Sequence, residues 1–199
     1  MRPKLLTRAV VKHTPPPHPI TVDEYYDMAE TGALEPDARV ELIEGEVVEM
    51  PPIGSQHGST AEYLTHLLDH AVADRARVRC QLPVRLGNLS EPQPDVAVVK
   101  PRPDRYGRSH PTAPDVLLLV EISRSTLRYD VNVKVPLYAR HGIPEVWIVD
   151  LKNNQLRTYR SPSEGRYQDT VSTTNPGKMA VPGLPDIAVD LSELLTDPS

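Results

Sequence analysis

The run VLLLV at residues 116–120 is followed at once by a carboxylate, Glu121, and this junction constrains the fold more than any other feature of the chain. A continuous aliphatic run rich in Val and Leu matches a strand covered on both faces, in the middle of a sheet. A bare charge at the end of such a strand is costly. A buried carboxylate either takes up a proton through a raised pKa or finds a cation, so Glu121 needs an Arg, a Lys or a metal ion beside it.

The surrounding sequence supplies the rest of an α/β pattern. PDVAVVK (94–100) is a second apolar run, introduced by Pro94 and Asp95, and residues 77–87 alternate enough for a strand. After the central run comes a helical region over 126–141 that ends at Gly142, then another apolar strand, EVWIVD, at 145–150. Strand, helix, strand with short connections is a parallel crossover unit, expected to be right-handed. Asn153-Asn154 reads as a turn into QLRTYR, with a further strand over 166–173 and a closing short helix at DLSELL. Upstream, Thr21 with Glu24 three positions on has the form of a capping box for a helix that stops near Gly32. Glu44-Gly45 between two β-prone runs signals a hairpin over 39–50, and Ala61, Leu64, Leu67, Leu68, Ala71 and Val72 recur at helical spacing over 57–73. The fold class is a mixed sheet flanked by helices.

At 199 residues and 39% hydrophobic content the chain can build one sizeable core. Residues 1–19, basic and then proline-rich, read as an N-terminal arm, and 20–199 as a single domain. The formal charge of −5 leaves no global basic field to draw nucleic acid, so such binding depends on local patches. The one cysteine, Cys80, lies in an apparent strand and is expected to be a small buried hydrophobe. With no secretory leader at the N-terminus and no run approaching the ~20 apolar residues of a membrane span, the reading is a soluble, cytoplasmic protein.

Two acids stand out. Asp95 begins its strand and Glu121 ends its own, so antiparallel pairing of the two brings both carboxylates to one edge of the sheet. Two neighbouring carboxylates repel unless a cation lies between them, and Mg2+ or Mn2+ is a natural counter-charge. The plain alternative is a loop-terminating Asp95 and a Glu121 paired with an Arg. Downstream, Asp130 and Lys134 stand four apart on the next helix, where the lysine can reach back to Glu121 or can form a surface ion pair with Asp130. Pro136 either kinks that helix or marks its first turn. Tyr138 and Trp147 read as packing for the crossover unit, and the amide of Gln81 either neighbours Asp95 or packs at the sheet edge.

The series VELIEGEVVEMPPIGSQHG, PQPDVAVVK, LLLVEIS, RYDVNVKVPLYARHGIPEVWIVD and VPGLPDIAVDLSELL resembles the Uma2 family of restriction-type endonucleases, also catalogued as a domain of unknown function within the PD-(D/E)xK superfamily. The resemblance covers residues 18–196. It implies a restriction-endonuclease-like core, a divalent-metal site and hydrolysis of DNA phosphodiester bonds. On the matching positions, Asp95 and Glu121 are the metal-binding acids with the backbone carbonyl of Ile122, Lys134 is a migrated lysine, and Glu41 is an additional acid, although Glu44 and Glu46 flank the same turn. The superfamily's usual lysine, two positions after the second acid, is replaced here by Ser123. The linker KPRPDRYGRSH, with Lys100, Arg102, Arg105 and Arg108 beside Tyr106, is the best local phosphate-binding patch.

Three functions compete. The first is a Mg2+- or Mn2+-dependent endonuclease acting on DNA, working as a homodimer where two strands are cut. The second is a nuclease-fold binding or regulatory module without catalysis, for which the acidic charge and Ser123 speak. The third is a zinc hydrolase built on His57, His66 and His70; against it, His66 and His70 share a polar helix face with Glu62, and His57 reads as a satisfied core histidine.

Overall fold

In a computed structural model of the protein, residues 18–35 and 37–196 are described; the arm expected over 1–19 lies outside them except for His18 and Pro19. Along the chain run α1 (Val22–Glu30), β1 (Val40–Ile43), β2 (Glu46–Glu49), α2 (Ser55–Val72), β3 (Arg77–Cys80), β4 (Val96–Val99) and β5 (Val116–Ser123). They are followed by α3 (Leu127–Tyr129), a π-helical turn (Asp130–Lys134), α4 (Val135–Arg140), β6 (Glu145–Asp150), β7 (Gln155–Ser163), β8 (Arg166–Thr173), β9 (Lys178–Val181) and β10 (Leu184–Asp190).

Six strands form one sheet in the order β3-β4-β5-β6-β7-β8. The β5–β6 pair is parallel, as the crossover connection requires, and the other neighbours are antiparallel. The aliphatic run is the inner strand β5, buried at every residue but Leu117. Its side chains alternate between two cores. Leu118, Val120 and Ile122 pack with Ala61, Leu64 and Leu68 of α2, whereas Leu119 packs with Leu137 and Tyr138 of α4. Glu121 shares the second face by the same alternation, so it points under α4.

The capping box of α1 is present: Glu24 N–H donates to Thr21 Oγ1 at 3.2 Å and Thr21 N–H to Glu24 Oε2 at 2.8 Å. The hairpin turns at Glu44 and Gly45, with φ of 51° and 82°, the pair of positive angles that a type I′ turn demands. Gly45 is also held by space, because a Cβ there would lie 2.4 Å from Pro19 Cβ and 2.8 Å from its Cα.

Four local expectations differ. The strand foreseen over 77–87 stops at Cys80: Gln81 takes φ of 50° and Pro83 cannot donate to a ladder. Cys80 is exposed rather than buried, because β3 is an edge strand whose ends are solvated. DLSELL forms no helix but a turn after β10, in which Asp190 Oδ1 accepts from Ser192 N–H at 3.1 Å and Leu191 and Leu194 still reach the core. The β9–β10 hairpin that packs on α2 was not expected at all. Among the described residues no helix is long and apolar enough to cross a membrane.

Candidate active site

Antiparallel register brings the two acids together. Val96 of β4 faces Val120 of β5, so Asp95, one residue earlier, comes beside Glu121, one residue later. Asp95 Oδ2 accepts the buried Ile122 N–H at 2.8 Å. Its other oxygen, Oδ1, lies 2.7 Å from His57 Nε2 and accepts from Gln81 Nε2 at 3.3 Å. His57, in the first turn of α2, is therefore neither a closed core residue nor grouped with His66 and His70, which sit exposed farther along that helix with Glu62. The Gln81 amide neighbours the acid instead of merely packing at the edge.

The second cluster is assembled by a widened helical turn. Through the π-helical turn Asp130–Lys134 both end residues point inward and are buried, and Pro136 sits in the first turn of α4, directly after that turn. Lys134 Nζ lies 3.0 Å from Glu41 Oε2 and 3.2 Å from Glu121 Oε1, with the three side chains only 6%, 3% and 4% exposed. It does not form the alternative surface pair with Asp130, whose Oδ2 accepts instead from Ser123 Oγ at 2.6 Å. The serine that stands where a lysine is usual thus holds the start of the turn that delivers Lys134. Glu41, facing inward on β1, also accepts the Gln93 N–H at 3.1 Å, while Glu44 and Glu46 are exposed. Tyr138, one turn beyond Lys134, packs in the core as expected and also donates from its hydroxyl to Glu121 Oε1 at 2.5 Å. Trp147 packs on the opposite face, against the α2 side of the sheet.

Burial drives the Glu121 carboxyl well above its ordinary range, with Asp130, Asp95 and Glu41 adding to the rise and Lys134 opposing it. Asp130 is raised, again chiefly by burial. For Lys134, burial pulls the pKa down, yet the carboxyls of Glu121, Glu41 and Asp130 outweigh it and the net direction is up. Lys134 is therefore a fixed cation, unsuited to act as a neutral base.

These groups line a cleft of about 350 Å³ that also takes in Arg39, the Met50–Gly54 segment, Arg124 and Tyr129. Among the described residues no three His, Cys, Asp or Glu side chains converge closely enough to cage an ion, and His57 lies on Asp95, apart from His66 and His70. Asp95 and Glu121 offer neighbouring carboxylate oxygens. A pair of carboxylates suits a hard ion such as Mg2+ or Mn2+, since Mg2+ commonly takes only one or two carboxylates and keeps water elsewhere.

The basic linker is not drawn to the cleft. Asp95 precedes β4 and Lys100 follows it, so the linker leaves from the opposite end of the strand, roughly 16 Å away. Lys100 Nζ donates to Pro114 O at 2.7 Å, and Arg102 pairs with Asp104 at 2.6 Å while covering the Tyr106 ring. Arg105 and Arg108 remain exposed. Arg39, Arg124 and Tyr129, which line the cleft, were missed in the sequence, whereas His57 was read only as a core histidine or a zinc ligand and Tyr138 only as packing. Tyr138 carried a further signal, its i+4 spacing from Lys134 on a helix face.

A family model described as "Putative restriction endonuclease", Uma2, matches residues 22–192. The chain belongs to the Uma2 family. The resemblance seen in the motifs therefore holds across most of the chain. Among solved structures, this Uma2 protein is similar to the crystal structure of "a putative nuclease belonging to DUF820" from Anabaena variabilis, with 22% identity, a TM-score of 0.70, and coverage of 89% of this chain and 98% of that one. At that identity the likeness concerns the fold, and the expected mixed sheet flanked by helices is the one observed. Among functionally curated proteins no match is found.

Proposed function

We propose that this Uma2 protein is a divalent-metal-dependent endonuclease hydrolysing DNA phosphodiester bonds, with residues 20–199 as the catalytic unit. The observation that carries the reading is the convergence of Glu41, Asp95, Glu121 and Lys134 at one cleft from four separate segments. Asp95 and Glu121, with the backbone carbonyl of Ile122, would hold Mg2+ or Mn2+, and Glu41 an outer water or second ion; the bound ion supplies Lewis-acid polarisation of the phosphodiester and a more acidic water. Lys134 keeps its charge and offers donors to the negative charge that develops on the phosphate oxygens. Tyr138 fixes the rotamer of Glu121 by its hydroxyl bond, and His57 with Gln81 does the same for Asp95.

A second reading, the nuclease-fold binding module without catalysis, is favoured by one observation: Lys134 already pairs with both Glu41 and Glu121. Plasmid and single-stranded DNA incubated with the purified protein and Mg2+ or Mn2+ decide between them, run beside Asp95→Ala and Lys134→Ala. Cutting that needs the metal and disappears in both variants supports the enzyme. Intact DNA throughout, with no divalent ion detected by calorimetry, supports the module.

A further inference from the structure

We infer that the cleft takes an unpaired strand of DNA, seating one unstacked nucleotide over the carboxylates, and does not accept a continuous base-paired duplex. This rests on the nuclease reading of the site. Asp95, Glu121, Glu41 and Lys134 are 9%, 3%, 2% and 5% exposed, so a scissile phosphate meets them only from inside the cleft. At about 350 Å³ the space is at the small-ligand end of the ~300–1,000 Å³ range of binding pockets. A stiff duplex cannot enter a recess of this size, whereas a single nucleotide swung out of its stack can.

The walls match such a guest. On one side the segment Pro51, Pro52 and Ile53 presents apolar surface, with Ile53 43% exposed, a surface against which a base can lie. Exposed arginines stand on the hairpin side and on the loop after β5. Arg39 is tied to that segment by its Nη1 bond to Pro51 O at 2.7 Å, and Arg124 follows the end of β5. Both suit the phosphates on either side of the seated nucleotide.

The Tyr129 hydroxyl supplies an independent observation. The residue lines the cleft, and among the described residues its buried hydroxyl has no hydrogen-bond partner, an arrangement a folded protein rarely keeps unless something else completes it. Burial first of all, and then Glu41, pushes the Tyr129 phenol up to about 12; it therefore stays a donor at neutral pH, suited to a phosphate oxygen or a base edge.

The test presents one labelled strand to the full protein with Mg2+ or Mn2+ in three forms: alone, fully annealed, and annealed so that a central stretch stays unpaired. Binding is read by anisotropy and cutting on a gel. Expected are cutting of the free strand and of the unpaired stretch, with the full duplex at least about tenfold slower. Ile53→Ser and Tyr129→Phe should each weaken binding of the free strand by about five- to tenfold, in line with the loss of one base contact. Ile53 is exposed and Phe keeps the ring, so both variants should fold. Equal or faster cutting of the full duplex overturns the inference and leaves the nuclease reading standing. Unchanged affinity in both variants overturns the seating proposed for the nucleotide. No binding and no cutting of any form overturns both readings together.

Discussion

The two ends of strand β4 are both rich in charge, and they are built in opposite ways. At its start, Asp95 joins Glu121, Glu41 and Lys134 from distant segments, and all four are buried. Beyond its end, Lys100, Arg102, Arg105 and Arg108 are partnered within their own loop or face water; Arg102 pairs with Asp104 two residues away. Charges that meet across the fold and lose their water must be held in place by the whole core, whereas a local solvated pair asks nothing of it. Only the first arrangement stores chemistry. The linker had the composition of a phosphate patch, yet its position, not its composition, decides what it can touch.

Substitutions at the two ends should separate them sharply. Asp95→Asn, which keeps the size of the side chain, should lower DNA cleavage by about 100-fold or more, measured with the fold verified by circular dichroism. Lys134→Met breaks two buried pairs at once and should cost about 3–5 kcal/mol in urea unfolding; a cost under 1 kcal/mol would erase the contrast with the loop. Tyr138→Phe leaves Glu121 short of one donor and should cost about 1–3 kcal/mol, accompanied by reduced cleavage because Glu121 is freed to rotate. At the other end, Arg102→Ala should change stability by about 0–1 kcal/mol, and the combined Arg105→Ala, Arg108→Ala variant should cut DNA within about twofold of wild type, consistent with solvated side chains far from the cleft.

The pH dependence sharpens the same contrast, because buried and exposed acids carry opposite signs. The pKa of Glu121 is raised on folding, chiefly by burial, so the folded state binds more protons than the unfolded one and stability falls as pH climbs above the ordinary value of 4.5. With chelator present, Glu121→Gln should flatten that descent in thermal melts. Glu24 is the opposite case, lowered to about 2 by the Thr21 backbone N–H, then by His18. Its contribution is complete above 4.5 and is lost as pH falls toward 2. Glu24→Gln should therefore melt slightly earlier than wild type at neutral pH and no earlier at the acid extreme, the smallest effect in the series.

Much of the fold was legible because it is local or periodic. The Thr21–Glu24 box, the Glu44-Gly45 turn and the aliphatic run of β5 each carry their own signal. The Asp95–Glu121 neighbourhood followed once antiparallel pairing was assumed, since a strand start then meets a strand end. Where a single residue of register mattered, the signal gave out: Glu41, Glu44 and Glu46 are equivalent in composition, and only the pairing of Glu41 with Val48 and the packing beneath β1 turn the first of them inward. DLSELL has helical periodicity, but Asp190 belongs to β10 and caps the turn that follows. Cys80 looked apolar in context, yet its strand lies at the sheet edge.

The sequence by itself determined that there would be a sheet with one doubly covered strand, that this strand would end in an acid needing a cation, and that Lys134 was within reach. These follow from hydrophobic patterning and from the cost of an unpaired buried charge, both properties of short segments. Tertiary structure alone decided that the cation is shared with Glu41, that His57 and Tyr138 fix the two acids, and that the basic linker lies at the far end of β4. Those outcomes depend on register, on the extra residue of a π-turn and on which faces meet, and they are set only when every segment has packed against the others.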